Sequence, residues 1–151
     1  MKVMERSASD NQYLHKDFHG ALAYAICYLD RRYGEQGIRE YLEQTAINAY
    51  KPLIEAVRKD GLAAIESHFK KIFEIEGGKF KLTNEGDYLT LTVSECPAVC
   101  HLKKTNQLYS DKFCLTTVVV NETVCRLAGI ETDCQYNTEK GCCEQRFWRA
   151  I

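Results

Sequence analysis

The sequence predicts an α+β fold in which an antiparallel sheet packs against an N-terminal group of helices. Apolar residues recur every three or four positions in the first half of the chain, which is the spacing of amphipathic helices. After Gly77 and Gly78 the spacing changes to two, which is typical of strands with one buried face. Helices followed by hairpins favour a sheet covered by helices.

Three helices are predicted before these glycines. The first runs over 17–33 and ends at a glycine. The second covers 38–57. Within it, Pro52 predicts a kink or a break near Tyr50. The third lies between Gly61 and Gly77, and the second of these glycines is suited to the left-handed end of a helix.

Two hairpins and two further helices are predicted in the second half. The centre of the longer helix, Thr-Thr-Val-Val-Val, is equally compatible with a strand, and local propensity does not decide between them. In chain order the predicted elements are strands near 80–82 and 88–93, helices over 97–104 and 110–128, and strands over 130–136 and 143–148.

One domain over residues 17–151 is predicted, preceded by a polar, frayed leader at 1–16. The chain has 151 residues, 45% of them apolar, which is enough for one core. A formal charge of −1, with acidic and basic residues interspersed, argues against nucleic acid and anionic membranes as partners. No apolar run approaches the roughly 20 residues of a membrane span, and no secretory signal is recognisable. We therefore expect a cytoplasmic protein, and leave open whether it forms a homo-oligomer.

The eight cysteines are predicted to be free thiols. An even number of cysteines in a small secreted protein would instead indicate a disulfide framework. This chain is long enough to fold without cross-links, and several of its cysteines lie within helical or strand patterns. Thiolate chemistry or metal binding by some of them is therefore expected.

Cys96 is the first candidate for a catalytic thiol. It lies where a strand ends and Pro97 begins a helix, so it is predicted to be the helix N-cap. Backbone N–H groups and the helix dipole would lower its pKa from about 8.5 and favour the thiolate. His101 follows by about one and a half turns as a base or second ligand, and Glu95 flanks the site. The alternative, given equal weight, is that Cys96 and Cys100 are ordinary small buried residues.

More distant residues are candidates to complete a catalytic or metal site. Cys114 could join Cys96 and His101 in catalysis, and Cys143 is a candidate for substrate binding. All four are also candidate ligands of a divalent metal such as zinc. The lack of a C-x2-C pair disfavours a zinc ribbon or finger. A second possible metal-binding set, whose cysteines could equally be core residues, consists of Cys100, Glu122, Cys125 and Cys134.

Three residues of the predicted helices are candidates for substrate binding. His68 and Glu76 lie on the third helix about 80° apart around its axis, which places them on one broad face. His19 lies near the start of the first helix. A solvated helix face is the alternative for the first two, and an ordinary helix-start position is favoured for His19.

Several segments look similar to motifs of one known family. They are Glu95-Cys96-Pro97-Ala98 with His101-Leu102, then Phe113-Cys114, then Gly141-Cys142-Cys143-Glu144-Gln145-Arg146-Phe147, and the helical stretches 18–22 and 68–78. In these motifs the chain resembles the L-2-amino-thiazoline-4-carboxylic acid hydrolase family from about residue 17 onward. The resemblance implies an enzyme that hydrolyses a C–N bond of a cyclic amidine or related small heterocycle, with Gln145 as a polar contact to the substrate.

A more distant resemblance gives an alternative function. Helices followed by a sheet and a cysteine-bearing C-terminal half look similar to the 4-vinyl reductase-type ligand-binding domain. Sensory members of that group build a zinc site from Cys, Glu, Cys and Cys, an order that the second metal-binding set approximates. This resemblance implies a non-catalytic sensor module that binds a small molecule or zinc.

Overall fold

The computed structural model describes residues 11–150, with side chains from Lys16 onward. It confirms the α+β class, because helices precede and cover a four-stranded antiparallel sheet. The helices are α1 (Asn11–Ala49), α2 (Lys51–Asp60), α3 (Leu62–Glu76), α4 (Pro97–Lys104) and α5 (Leu115–Ala128). The strands are β1 (Lys79–Asn84), β2 (Tyr88–Glu95), β3 (Ile130–Asn137) and β4 (Cys142–Arg149).

Helix α1 is longer than predicted at its N-terminal end. It begins at Asn11 rather than Asp17, so the later part of the predicted leader is helical, and residues 1–10 of that leader lie outside the described residues. No proline or glycine separates Asn11 from Asp17, and extending a formed helix adds one hydrogen bond per residue. The predicted interruption is present as a kink, because Gly34 has φ 68 and ψ −167 within the helix.

Two other helix boundaries test the sequence predictions. The break before Pro52 is confirmed, since Tyr50 is the N-cap of α2. Helix α5 begins later than predicted, because residues 111–114 form turns and the Ser110 hydroxyl accepts a hydrogen bond from the Lys112 amide. This local alternative satisfies backbone donors without a helix. The Thr116–Val120 segment is helical rather than extended.

The sheet has the order β1-β2-β4-β3, so the final hairpin joins the first one through β2 and β4. One face is apolar and is covered by the helices: Leu89, Leu91, Val93 and Phe147 are at most 1% exposed. Alternate residues on these strands face away from the helices, as the pleat requires. Among the residues described, no helix has the length and apolar content that a membrane crossing needs.

Three apolar clusters fill the space between the helices and the sheet. One joins α2, α3 and α5 to the sheet, a second lies where α1 meets α4, and a third packs α1 on α5. Representative buried residues are Val57, Ile65 and Phe147 in the first, Ala23, Val99 and Phe113 in the second, and Ile26, Leu42 and Val119 in the third.

Candidate functional site

Four half-buried cysteines lie together at one end of the sheet; we call them the thiol cluster. Cys96 joins β2 to α4, Cys114 precedes α5, Cys134 lies on β3 and Cys143 on β4. The charges of Cys114 and Cys143 both raise the pKa of Cys96, so these residues lie near it. Cys134 and Cys143 share a hydrogen bond. The fold therefore brings together Cys96, Cys114 and Cys143, which were predicted to lie in one site. It adds Cys134, which was predicted to belong to the second metal-binding set.

Strand register brings the two central cysteines together. In the β3–β4 pair Cys134 is opposite Gln145, and Cys143 is opposite Tyr136. Cys134 and Cys143 are thus diagonal neighbours, and such pairs project from the same face of a sheet. Gln145 is two residues from Cys143 and shares that face.

The turn before β4 brings Cys96 close to this face. The Cys96 amide donates a 2.8 Å hydrogen bond to the carbonyl of Gly141. Gly141 has φ 65, and a Cβ there would lie 3.2 Å from Cγ1 of Val99 in α4. Glycine is favoured at this position because both the backbone angle and the close approach to α4 disfavour a side chain.

The sulfur of Cys143 accepts hydrogen bonds from two side chains. The Cys134 thiol donates to its sulfur, and Nε2 of Gln145 lies 3.3 Å from the same sulfur. The orientation of the Gln145 amide is fixed by Nδ2 of Asn121, which donates to Oε1 of Gln145 at 2.7 Å. Gln145 and Asn121 are only 2% and 8% exposed, so this chain of hydrogen bonds is shielded from water.

These hydrogen bonds favour the thiolate form of Cys143. The bond from Cys134, followed by that from Gln145, lowers the pKa of Cys143 from 9.0 to about 7 against the opposing effect of burial. The pKa of Cys134 is raised, mainly because its proton is held by Cys143 and secondly because it is buried. Of the two, Cys143 is therefore the thiol that ionises first as the pH rises.

The predicted activation of Cys96 is wrong in direction. Cys96 is the N-cap of α4 as expected, and the amides of Val99 and Ala98 do stabilise its thiolate. Burial against the second apolar cluster outweighs them and raises the pKa of Cys96 to about 11. Burial likewise raises the pKa of Cys114, although the Thr138 hydroxyl opposes this. Both residues are neutral thiols that border Cys143.

Glu95 and His101, both predicted catalytic, do not join Cys143. Glu95 is 54% exposed and forms a 2.6 Å ion pair with Lys79 on the neighbouring strand. The pairing of β1 with β2 is irregular at this position, because Lys79 pairs with Glu95 while the next residue, Phe80, pairs with Val93. His101 is half-buried in α4, and its Nε2 has no hydrogen-bond partner among the described residues.

A separate cavity of about 120 Å³ lies between α2, α3, α5 and the sheet. His68 lines it, as do Tyr50 and Asn121, and most of the remaining wall is apolar. Burial, followed by the charge of Lys71, lowers the pKa of His68 and favours a neutral imidazole. Asn121 connects this cavity to the thiol cluster, since its amide donates to Gln145.

His19 and Glu76 lie close to this cavity but do not line it. Nε2 of His19 is 3.1 Å from Oε2 of Glu76, which joins the start of α1 to the end of α3. The Glu76 charge adds to burial in raising the pKa of Tyr50, which does line the cavity. Of the three helix residues predicted to bind substrate, His68 alone is placed on the cavity wall.

The residues of the second metal-binding set are not brought together as ligands. Glu122 forms a 3.4 Å ion pair with Arg39, Cys100 is exposed, and Cys125 is buried. Burial raises the pKa of Cys125 to about 12, as expected for a core thiol. Within residues 16–150, whose side chains the structure describes, no three His, Cys, Asp or Glu side chains are arranged to hold a metal ion.

We expect Cys143 to be the most readily alkylated thiol of the cluster near neutral pH. Its reaction with iodoacetamide should rise with pH and reach half of its maximum at about pH 7, because the thiolate is the reactive form. Cys96, with a pKa of about 11, should remain largely unmodified there. Peptide mass spectrometry after short pulses of reagent measures both rates, and fragment spectra distinguish Cys142 from Cys143.

A pair of variants tests the cause of this reactivity. Cys134→Ala removes the thiol donor, so the alkylation midpoint of Cys143 should move up toward the ordinary value of 9.0. Cys134→Ser retains a hydroxyl donor and should move the midpoint less. An unchanged midpoint in Cys134→Ala would contradict the assigned hydrogen bond.

Sequence reasoning missed the role of Asn121 and the pairing of Cys134 with Cys143. A period of two along β4 could have placed Cys143, Gln145 and Phe147 on one buried face. Asn121, which follows three valines in a buried helix, is a polar residue that needs a partner. No protein-family model matches the chain, and no curated protein matches it in sequence.

Proposed function

We propose that this protein is a small-molecule hydrolase that opens a C–N bond of a cyclic amidine or a related small heterocycle, with Cys143 as its nucleophile. The observation that carries the proposal is the half-buried Cys143 sulfur, which lies 3.3 Å from Nε2 of Gln145 and on the same face as Cys134. Hydrogen bonds from these two residues lower the pKa of Cys143 to about 7. A nucleophilic thiol is most effective when its pKa lies near the working pH. The motifs that resemble the aminothiazoline hydrolase family supply the class of substrate.

In the proposed reaction the Cys143 thiolate attacks the amidine carbon and forms a C–S bond. The ring C–N bond then breaks, and the departing nitrogen takes the proton that Cys134 holds beside the nucleophile. Water attacks the same carbon, the C–S bond breaks, and Cys143 leaves as a thiolate while Cys134 regains a proton. The net change is the addition of one water molecule across the C–N bond.

The other groups around Cys143 have supporting roles in this proposal. Gln145 orients the thiolate, and Asn121 holds the Gln145 amide in the donating direction. Cys96 and Cys114 form uncharged walls that limit the access of water, since burial raises the pKa of each. All eight cysteines are free, which favours a reducing compartment such as the cytoplasm.

Trapping of the covalent intermediate tests the proposal. The full chain is mixed with 2-amino-thiazoline-4-carboxylate, quenched with acid within one turnover, and analysed by intact and peptide mass spectrometry. We expect ring-opened product, together with an adduct on the peptide that contains Cys143. Product without an adduct in the wild-type chain, and with unchanged turnover after Cys143→Ser, would contradict a thiolate mechanism.

A second candidate function is a non-catalytic module that binds a small molecule. The apolar cavity next to His68 favours it, since its volume of about 120 Å³ is of the order that accommodates one small ring. In that case a small cyclic amidine should bind without turnover, and binding should survive Cys143→Ser. Loss of binding on Val120→Phe, which fills the cavity, would support the second function over the first.

A further inference from the structure

Helix α1 carries apolar residues on two opposite sides. Ala23 and Ile26 face the rest of the fold and are fully buried. Tyr24 and Tyr28 lie on the other side, where they are 64% and 51% exposed. A helix at the surface of a protein usually has polar residues on its outer side. The two tyrosines therefore form an apolar surface that no described part of the chain covers.

These tyrosines belong to a regular row along the outer side of α1, which we call the outer stripe. It consists of five exposed residues: Asp17, Ala21, Tyr24, Tyr28 and Arg31. Successive members are alternately four and three residues apart, which is the spacing of the residues at a coiled-coil contact. The row ends before the kink at Gly34. The outer stripe is therefore suited to packing against another straight helix.

The spacing of the outer stripe reads the same from either end, with Tyr24 at its centre. If a second copy packs antiparallel against it, Asp17 of each copy lies opposite Arg31 of the other. Ala21 of each copy likewise lies opposite Tyr28 of the other, so a small residue faces a large one at both places. The outer stripe is thus complementary to itself in charge and in size.

The charged ends of the outer stripe are available for this contact. Asp30, which is adjacent to Arg31 in sequence, already forms a 2.6 Å ion pair with Lys112. Asp17 and Arg31 form no ion pair with any side chain described within residues 16–150. Nε of Arg31 lies 3.5 Å from the carbonyl oxygen of Cys27, which leaves its two terminal nitrogens to meet a carboxylate. A second copy would supply each of these charges with a partner.

We infer that the outer stripe is the contact between two copies of this chain, packed antiparallel about a two-fold axis that passes between their Tyr24 side chains. A contact on such an axis uses the same patch of both copies, and a self-complementary stripe meets that requirement. Burial of four tyrosines, each exposed by half or more, removes on the order of 500 Å² from water. Flanking residues such as Phe18, which is 61% exposed, add to this area.

The size of this contact sets the expected strength of the dimer. The total area is close to the lower limit of about 1,000 Å² for a specific interface, which is typical of weak association. We therefore expect a dimer that dissociates with a Kd on the order of tens of micromolar. The inference does not depend on any hydrolase activity.

Sedimentation velocity of the full chain tests the inference, in reducing buffer so that no disulfide links two copies. Between about 1 and 500 µM the wild-type chain should change from a monomer to a species of twice its mass. Tyr24→Glu brings two like charges together at the axis and should raise the Kd at least about thirtyfold. Tyr33→Glu is the matched control, because Tyr33 is 62% exposed on α1 but lies outside the outer stripe. It should leave the Kd within about twofold, and circular dichroism checks that both variants fold.

Reversal of the end charges tests the antiparallel arrangement. Arg31→Glu places two carboxylates opposite each other at both ends and should raise the Kd about tenfold at low salt. Addition of Asp17→Lys to Arg31→Glu restores opposite charges across the axis, so the Kd should return to near the wild-type value. A wild-type chain that stays a monomer at about 500 µM would overturn the inference, as would a dimer that Tyr24→Glu leaves intact. A double variant that dimerises no better than Arg31→Glu alone would also overturn it, because a stripe that meets a different surface gains nothing from the exchange.

Discussion

Replacement of Cys143 by alanine is expected to lower kcat/KM for ring opening of a cyclic amidine by about 10,000-fold or more, the usual scale for loss of a nucleophile. Without the thiolate, the C–S bond of the proposed intermediate cannot form. The fold should be retained, because Cys143 is half-buried and alanine leaves the β2–β4 and β3–β4 pairings in place. Steady-state kinetics and circular dichroism measure the two properties separately.

Two control variants sharpen this prediction. Cys142→Ala changes the adjacent residue on the opposite face of β4 and should leave kcat/KM within about threefold, since surface substitutions have small effects. Cys96→Ala removes a neutral thiol and should cost much less than Cys143→Ala. Loss of turnover on Cys96→Ala with retention on Cys143→Ala would instead support the helix N-cap thiol as nucleophile.

The difference between Cys96 and Cys143 illustrates what the sequence could predict. An N-cap cysteine before proline is visible in the sequence, and the structure confirms that position. Its burial is not visible, because that depends on α1 and α4 packing around it. Since desolvation opposes the helix amides, the direction of the pKa change is set by tertiary packing.

The proximity of Cys134 to Cys143 could not be predicted from the sequence for a related reason. The periodicity predicted the strands that contain Cys134 and Cys143, and both strands are present. Whether the two thiols meet depends on strand register, which the turn between Asn137 and Cys142 fixes. A register shifted by one residue would turn one of them to the opposite face. The period of two predicts faces but does not predict register.

Glu95 shows how an irregularity changes a prediction from alternation. Glu95 is two residues from Val93, so simple alternation would place both on the buried face. Val93 is 1% exposed, yet the Glu95 side chain is 54% exposed. Two steps along β2 here match one step along β1, which is a bulge that redirects the strand end. Bulges of this kind are set by the partner strand and leave little signal in the sequence.

Replacement of Phe147 by alanine is expected to destabilise the fold by about 3–5 kcal/mol. Phe147 is 1% exposed, and its ring centroid lies 5.6 Å from that of Phe69. It also lines the cavity beside His68, so removing the ring enlarges an existing space of about 120 Å³ instead of leaving a gap that neighbours can close. The cost should therefore fall at the upper end of this range, which is a large part of the stability of a domain of this size.

Urea denaturation at constant pH measures this loss, with Phe147→Leu as the matched control. Leucine keeps most of the apolar volume and should cost only about 1–1.5 kcal/mol. Benzene should recover part of the loss in Phe147→Ala, because an enlarged apolar cavity binds such a ring and thereby stabilises the folded state. A loss below about 1.5 kcal/mol in Phe147→Ala, with no response to benzene, would mean that the cavity walls collapse. In that case the cavity is not a rigid pocket, and the second candidate function would lose its support, whereas the thiolate at Cys143 would be unaffected.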